Sequence, residues 1–156
     1  FAPGGTSAIG IALKLARVAT GRFKTISMWE SFHGASLDAI SVGGEAIFRN
    51  GIGPLLPGTE HVPPPDPAHC PWGCSDTCTL HCADYIEYVL EKEGDVAAVV
   101  AETVRSTPYI PPKDYWQRVR LLRALRDWQL SNILRKRSCW NMLGKWEHMR
   151  LYVCAR

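Results

Sequence analysis

Apolar positions recur at the spacing of an α-helix in four segments of the chain. In "TSAIGIALKLARVAT" they return every three or four residues until Gly21 interrupts the pattern, and in "CADYIEYVLEKE" they do so until Gly94. Thr6 and Ser7 are the expected N-cap candidates of the first helix, because a hydroxyl oxygen can accept a bond from a free backbone N–H. The predicted helices cover residues 6–20, 35–44, 82–93 and 112–128.

Two shorter segments predict strands of a parallel sheet. "FKTISMW", residues 23–29, is rich in β-forming residues, and "DVAAVVAETV", residues 95–104, is continuously apolar until Glu102. A continuous apolar run is typical of a strand buried on both faces, and its alternation with helices predicts an α/β fold with a mostly parallel sheet flanked by helices. Between them, residues 50–71 contain seven of the eleven prolines, which predicts a long loop without helix or central strand.

Composition and charge narrow the class of protein. A chain of 156 residues that is 46% hydrophobic is expected to form one globular domain, and it has neither a long apolar run nor a signal peptide, so we expect a cytoplasmic protein without a membrane partner. Residues 1–117 carry 8 basic against 13 acidic side chains, whereas residues 118–156 carry 10 against 2. The basic residues form no compact run and no recognisable module, so we expect no nucleic-acid partner.

Three places carry groups that suit a ligand. The turn "PGGTS" runs into the first helix, where free N–H groups and the positive helix end suit a phosphate, although an ordinary capped helix explains it too. Phe32 and His33 follow the first strand, where an aromatic ring either stacks on a ligand or packs internally. Glu102 ends the second strand, where it either binds a ligand or caps a loop.

Cysteines recur at one constant spacing in "HCPWGCSDTCTLHC". Four thiolates suffice for tetrahedral zinc, although thirteen residues leave little chain to turn around an ion, and Pro71 and Gly73 disfavour a continuous helix. Free or redox-sensitive thiols and disulfides are the alternatives, and a cytosolic setting disfavours the disulfides. The candidate metal ligands are Cys70, Cys74, Cys78 and Cys82.

The order of these features resembles the class III (fold type I) pyridoxal-phosphate-dependent aminotransferases. "GGTSAIGIALKLARVATGR" is similar to the family's early glycine-containing motif and helix, and Phe32-His33-Gly34 is similar to its aromatic residue followed by His-Gly. "GPLLPGTEHVPPP" resembles the segment before the family's long loop, and "AAVVAETV" resembles its apolar strand that ends in glutamate. The resemblance covers about residues 1–126.

The resemblance implies a cofactor, pyridoxal 5′-phosphate, and a reaction that moves an amino group from a small amino donor to an oxo-acid acceptor. It implies that Gly5 and Thr6 hold the cofactor phosphate through backbone N–H and hydroxyl groups. Phe32 would stack on the pyridine ring with His33 beside it, and Glu102 would order the surroundings of the cofactor or a substrate-side arginine. A full-length member of the family is expected to be a homodimer.

The Cys- and Pro-rich insertion, about residues 50–82, resembles the branch that contains phosphonate-acting ammonia-lyases. That branch keeps the fold and cofactor but eliminates ammonia. The alternative functions are this reaction, a four-cysteine metal-binding segment, or a remnant without function.

Pyridoxal chemistry needs a lysine that bonds the cofactor and a carboxylate that keeps its ring nitrogen protonated, and neither is recognisable in this chain. Residues 127–156 do not resemble the family, and Phe1 stands directly before the phosphate-binding turn. We therefore expect a fragment with a divergent tail, arising from a frame error, altered splicing or a decayed gene, and no catalysis by this chain alone.

Overall fold

A computed structural model of the chain describes residues 2–74, 78–104, 109–122, 129–131 and 149–155, the last two ranges as backbone only. Its helices are α1 (Gly5–Thr20), α2 (Leu37–Val42), α3 (Ala46–Arg49), α4 (His81–Glu93) and α5 (Tyr115–Leu121). Its strands are β1 (Lys24–Met28), β2 (Thr59–Val62), β3 (Val96–Glu102), β4 (Gln129–Ser131) and β5 (Met149–Ala155). None of the described helices has both the length and the apolar content needed to cross a membrane.

The strands form one sheet in the order β2-β1-β3-β5-β4. Strand β1 pairs in parallel with β2 and with β3, so that Ile26 lies between Glu60 and Val99. Strand β5 adds to the other side of β3 in antiparallel orientation and carries β4 on its outer side. The three parallel strands confirm the expected α/β architecture, and β4 and β5 lie in residues 127–156, the segment predicted to diverge from the family.

Helices cover both faces of the parallel strands. On one face, α1 and α2 pack against Ala98 and Val100; on the other, α4 and α5 pack against Val99 and Ala101. Successive side chains of a strand point to opposite faces, so β3 contributes apolar residues to both cores. This double burial explains why the segment reads as an uninterrupted apolar run.

The two glycines expected to end helices do so. Gly21 and Gly94 adopt the left-handed conformation, with φ of 67° and 64°, and each N–H bonds to a carbonyl four residues earlier. Glycine takes this conformation without the steric cost that a Cβ adds.

The start of α1 differs from the prediction. Gly4 occupies the N-cap, with no side-chain capping bond, and Thr6 and Ser7 lie inside the first turn. The Thr6 hydroxyl oxygen instead accepts a hydrogen bond from the N–H of Ala35, 29 residues away in the chain. The Thr6 hydroxyl oxygen therefore makes a tertiary hydrogen bond instead of the expected N-cap bond.

The Pro-rich segment contains a strand that the sequence does not predict. Strand β2 occupies four residues without proline and joins the edge of the parallel sheet, where the N–H of Thr25 bonds to Gly58 O at 2.8 Å and that of Trp29 bonds to Val62 O at 2.9 Å. The short helix α3 is also unpredicted. Of the last predicted helix, α5 is described to Leu121, and residues 123–128 lie outside the described residues.

Candidate functional site

The carboxyl ends of β1 and β3 bring two predicted site residues together. Parallel neighbours end at the same edge of a sheet, which is where ligands bind in open α/β folds. Beyond that edge, the N–H of Phe32 donates a hydrogen bond to Oε1 of Glu102 at 3.2 Å. Glu102 therefore holds the backbone of the loop that presents the Phe32 ring.

The same loop lies against the first turn of α1. The N–H of Ala35 donates to Oγ1 of Thr6 at 3.2 Å. Gly34, the residue before Ala35, has a φ of 140°. A Cβ added to Gly34 would lie 2.2 Å from Thr6 Oγ1. Only glycine allows this approach, so the Phe-His-Gly motif and the glycine-rich turn meet at one site.

The amino end of α1 suits an anion. Gly5 and Thr6 open the helix, Gly4 provides no side-chain capping bond, and the first turn contains no acidic residue. The N–H groups at the start of a helix have no partner within the helix, and the helix dipole adds a partial positive charge. A phosphate group there would accept bonds from these N–H groups and from the Thr6 hydroxyl.

His33 is fully buried in a hydroxyl network behind the loop. Its Nε2 lies 3.0 Å from Ser27 Oγ, which lies 3.1 Å from Ser31 Oγ. The Ser31 hydroxyl donates to Met28 O at 2.7 Å and accepts from the N–H of Gly44 at 3.2 Å. Among the described residues, Nδ1 of His33 is buried without a hydrogen-bond partner. The network links the end of β1 to the Phe32 loop.

Burial keeps His33 neutral. Loss of hydration lowers the pKa of His33 from its ordinary 6.5 to about 4, and repulsion from His61 acts in the same direction. The imidazole is therefore uncharged near pH 7 and acts as a hydrogen-bonding group. Ser27 and Ser31 were not predicted as site residues; the only signal is that Ser27 stands between the apolar Ile26 and Met28 of β1.

Aromatic residues surround the loop on its other side. The half-buried Phe32 ring packs against Phe48 with centroids 4.4 Å apart, and Trp29 stacks on His61 at 4.5 Å. The Arg49 guanidinium lies 5.7 Å from the centre of the Trp29 ring. An open pocket of about 840 Å³ adjoins this set and is lined by Trp29, Glu30, Glu45, Arg49 and Asn50, among others. Prediction missed Phe48 and Arg49 because α3 is too short to show a periodic pattern.

The described residues fit pyridoxal phosphate at two points. The uncapped start of α1 and the Thr6 hydroxyl suit its phosphate, and the half-exposed Phe32 ring suits one face of its pyridine ring. His33, which follows Phe32 in the chain, has a buried Nδ1 without a hydrogen-bond partner among the described residues. Lys24 lies at the amino end of β1, opposite to the strand end that carries the Phe32 loop, and its ammonium pairs with Glu93 and with Glu60.

The four cysteines of the loop were predicted as candidate zinc ligands. Within the described ranges, no three His, Cys, Asp or Glu side chains are placed to hold a metal ion, so the predicted zinc has no support. Cys82 belongs to the core beneath α4 with 4% exposure, and burial raises the pKa of its thiol to about 12. Cys70, Cys74 and Cys78 are half-buried on the loop.

Comparison with known proteins identifies relatives of this chain. The family model for class III aminotransferases matches residues 1–128. The (R)-1-hydroxy-2-aminoethylphosphonate ammonia-lyase of Vibrio splendidus is 52% identical over 136 residues, which cover 77% of this chain and 28% of that protein. The diaminobutyrate–2-oxoglutarate aminotransferase of Rhizobium meliloti is 36% identical over 130 residues, covering 80% and 27%.

A solved structure is similar as well. An amine transaminase from an uncultivated Pseudomonas species, in its PLP-bound form, superposes with a TM-score of 0.70 at 34% identity, covering 75% of this chain and 29% of that one. The chain thus spans less than a third of the length of each of these relatives. From the family match and these identities, the chain belongs to the class III aminotransferase family.

Proposed function

We propose that Gly5, Thr6, Phe32, His33 and Glu102 form the part of a pyridoxal-phosphate site that binds the phosphate and one face of the ring. The observation that carries this proposal is a pair of hydrogen bonds at one sheet edge. They join Thr6 to the loop at Ala35 and Glu102 to the loop at Phe32. A phosphate-binding helix end and an aromatic ring are thereby held in one unit.

Each residue has a distinct part in this proposal. The N–H groups of Gly5 and Thr6 and the Thr6 hydroxyl bind the phosphate, and the Phe32 ring covers one face of the pyridine. Glu102 and His33 are positioning residues, because they hold the backbone and the base of the loop that carries Phe32. Bound pyridoxal phosphate would supply an electron sink for bonds at the carbon that carries the substrate amino group.

The whole protein, of which this chain is a part, is proposed to eliminate ammonia from a hydroxylated aminophosphonate. Support comes from 52% identity to an ammonia-lyase with that substrate, against 36% for the aminotransferase of Rhizobium meliloti. Transamination between a small amino donor and an oxo acid is the second candidate, since that aminotransferase and the similar amine transaminase carry it in their names. We further propose that the whole protein is a cytoplasmic homodimer, in line with the family resemblance.

Cofactor binding by this chain is tested with pyridoxine 5′-phosphate, which lacks the aldehyde and so cannot react with surface lysines. Binding is followed by quenching of tryptophan fluorescence, with pyridoxine as the matched probe without phosphate. We expect pyridoxine 5′-phosphate to bind at least ~10-fold more tightly, because the helix end recognises the phosphate, and inorganic phosphate to compete. Equal affinity for the two probes would contradict the proposed phosphate site.

The reaction is tested on the whole protein with (R)-1-hydroxy-2-aminoethylphosphonate. Ammonia release in the absence of any oxo acid supports the elimination. Amino transfer that requires an added oxo acid, without ammonia release, establishes the second candidate instead. Turnover of neither kind in the cofactor-loaded protein rejects both and leaves a remnant without catalysis.

A further inference from the structure

A tight turn lies between two cysteines of the Cys-rich loop. The N–H of Gly73 bonds to the carbonyl oxygen of Cys70 at 3.0 Å, and Gly73 has a φ of 70°. The chain reverses over "CPWGC", so that Cys70 and Cys74 stand at the two ends of one turn. Both cysteines are free and half-buried.

Contacts before the turn and within it hold its conformation. Before it, the buried Asp66 carboxylate accepts a bond from the N–H of Ala68 at 3.0 Å and lies 2.8 Å from His69 Nδ1. Within it, the Trp72 ring packs against Tyr85 of α4 with centroids 5.7 Å apart. The two thiols are therefore presented by an anchored loop.

The thiols differ in reactivity. A backbone bond at Thr79 and the neighbouring thiols of Cys70 and Cys78, with Cys70 the larger effect of the two, lower the pKa of Cys74. The Cys74 Sγ also lies 3.9 Å from Thr79 Oγ1. Burial raises the pKa of Cys78 and raises that of Cys82 to about 12. Since the thiolate is the nucleophile, Cys74 is the member of the set that is ready to react.

We propose that Cys70 and Cys74 form an oxidation-sensitive pair, in which Cys74 reacts with a peroxide and Cys70 then closes a disulfide across the turn. The inference is independent of the proposed cofactor site, since none of its residues belongs to that site. It uses the cysteines that the family assignment leaves without a role.

The chemistry balances with hydrogen peroxide as the oxidant. The Cys74 thiolate attacks one peroxide oxygen, the O–O bond breaks, and after proton transfer Cys74 is a sulfenic acid and one water has left. The Cys70 sulfur then attacks the Cys74 sulfur, forms the S–S bond and expels the hydroxyl, which takes a proton and leaves as a second water. Two thiols lose two electrons in total, and one peroxide gains them.

The test uses the full 156-residue chain, reduced and then treated with hydrogen peroxide. Remaining thiols are alkylated in denaturant, and the chain is cut without reduction by chymotrypsin after Trp72 and by an Asp-specific protease before Asp76. These cuts separate Cys70, Cys74 and Cys78 onto three peptides. We expect a cross-linked pair of peptides that joins Cys70 to Cys74, with Cys82 alkylated.

Two matched variants sharpen the assignment. Cys78→Ser should retain the disulfide, whereas Cys70→Ser should abolish it and accumulate a sulfenic acid at Cys74 that dimedone traps.

In the reduced native chain, alkylation of Cys74 should be faster than that of Cys82 by ~10-fold or more, and urea should remove the difference.

Three results would overturn the proposal. The first is a disulfide that joins mainly Cys74 to Cys78, and the second is a Cys74 that alkylates no faster than Cys82 in the native chain. The third is a stoichiometric zinc ion that protects the loop thiols from alkylation. Each identifies a different use of these cysteines.

Discussion

The backbone N–H of Phe32 donates a hydrogen bond to Oε1 of Glu102 across 70 residues of sequence, at 3.2 Å. The bond exists because β1 and β3 are parallel neighbours whose carboxyl ends share an edge. It couples the end of the buried strand β3 to the loop that presents an aromatic ring, and the predictions below depend on this coupling and on the matching contact at Thr6.

Replacing Glu102 with alanine should loosen the Phe32 loop. A hydrogen bond to a carboxylate contributes about 1.5–3 kcal/mol, so we expect the free energy of unfolding to fall by ~2 kcal/mol in urea titrations. Glu102→Gln keeps an acceptor oxygen and should lose less than half as much. Glu91→Ala, at an exposed acidic residue of α4, serves as the control and should be neutral. An equal loss for alanine and glutamine would contradict the role of the bond.

Replacing Thr6 with valine should weaken phosphate recognition. Valine has a similar shape but lacks the oxygen that accepts from Ala35 and the hydroxyl proposed to bind phosphate. We expect affinity for pyridoxine 5′-phosphate to fall by ~10-fold in fluorescence titrations. The control is Thr20→Val at the opposite end of α1, where the hydroxyl bonds only within its own helix end. Unchanged affinity of the Thr6 variant would remove this residue from the site.

Replacing Gly34 with alanine should separate the loop from α1. The new methyl group would overlap Thr6 Oγ1, and the φ of 140° disfavours any residue with a Cβ. We expect a loss of ~3 kcal/mol in unfolding free energy, together with weaker phosphate binding. Gly51→Ala provides the matched control, because Gly51 has a φ of 73° but open space around its Cβ position, so its cost should be ~1 kcal/mol.

The free energy of unfolding should decrease as the pH is lowered from 6.5 to 4, because of His33. The folded pKa, about 4, lies below the ordinary 6.5, so the unfolded chain binds a proton first as the pH falls. The contribution is complete above about pH 6.5 and amounts to ~3 kcal/mol, which is lost as the pH approaches 4.

Urea titrations at several pH values test this assignment. His33→Gln, which can still bond to Ser27, should make the dependence shallower in this range, although the pKa of His61 is also lowered by burial and contributes to what remains. A pH dependence that is unchanged in the His33 variant would contradict the assignment.

Much of the fold follows from local patterns. Apolar spacing predicts α1 and α4, the glycines that end them follow from their conformational freedom, and the uninterrupted apolar run of β3 predicts a strand covered on both faces. Strand β2 was missed because its four residues lie among prolines and are recruited by the edge of β1, a partner that their own sequence does not specify.

The site shows the same division. The local sequence shows which groups are available, among them a glycine-rich helix start, an aromatic residue before His-Gly, and a glutamate at a strand end. The packing of strands and helices brings Thr6 to the loop and places Ser27 against a buried, neutral His33. The packing also places Cys82 in the core and puts Cys70 and Cys74 on either side of one turn. The reason is physical: burial and hydrogen bonds between distant residues depend on how strands and helices pack, and no local pattern encodes them.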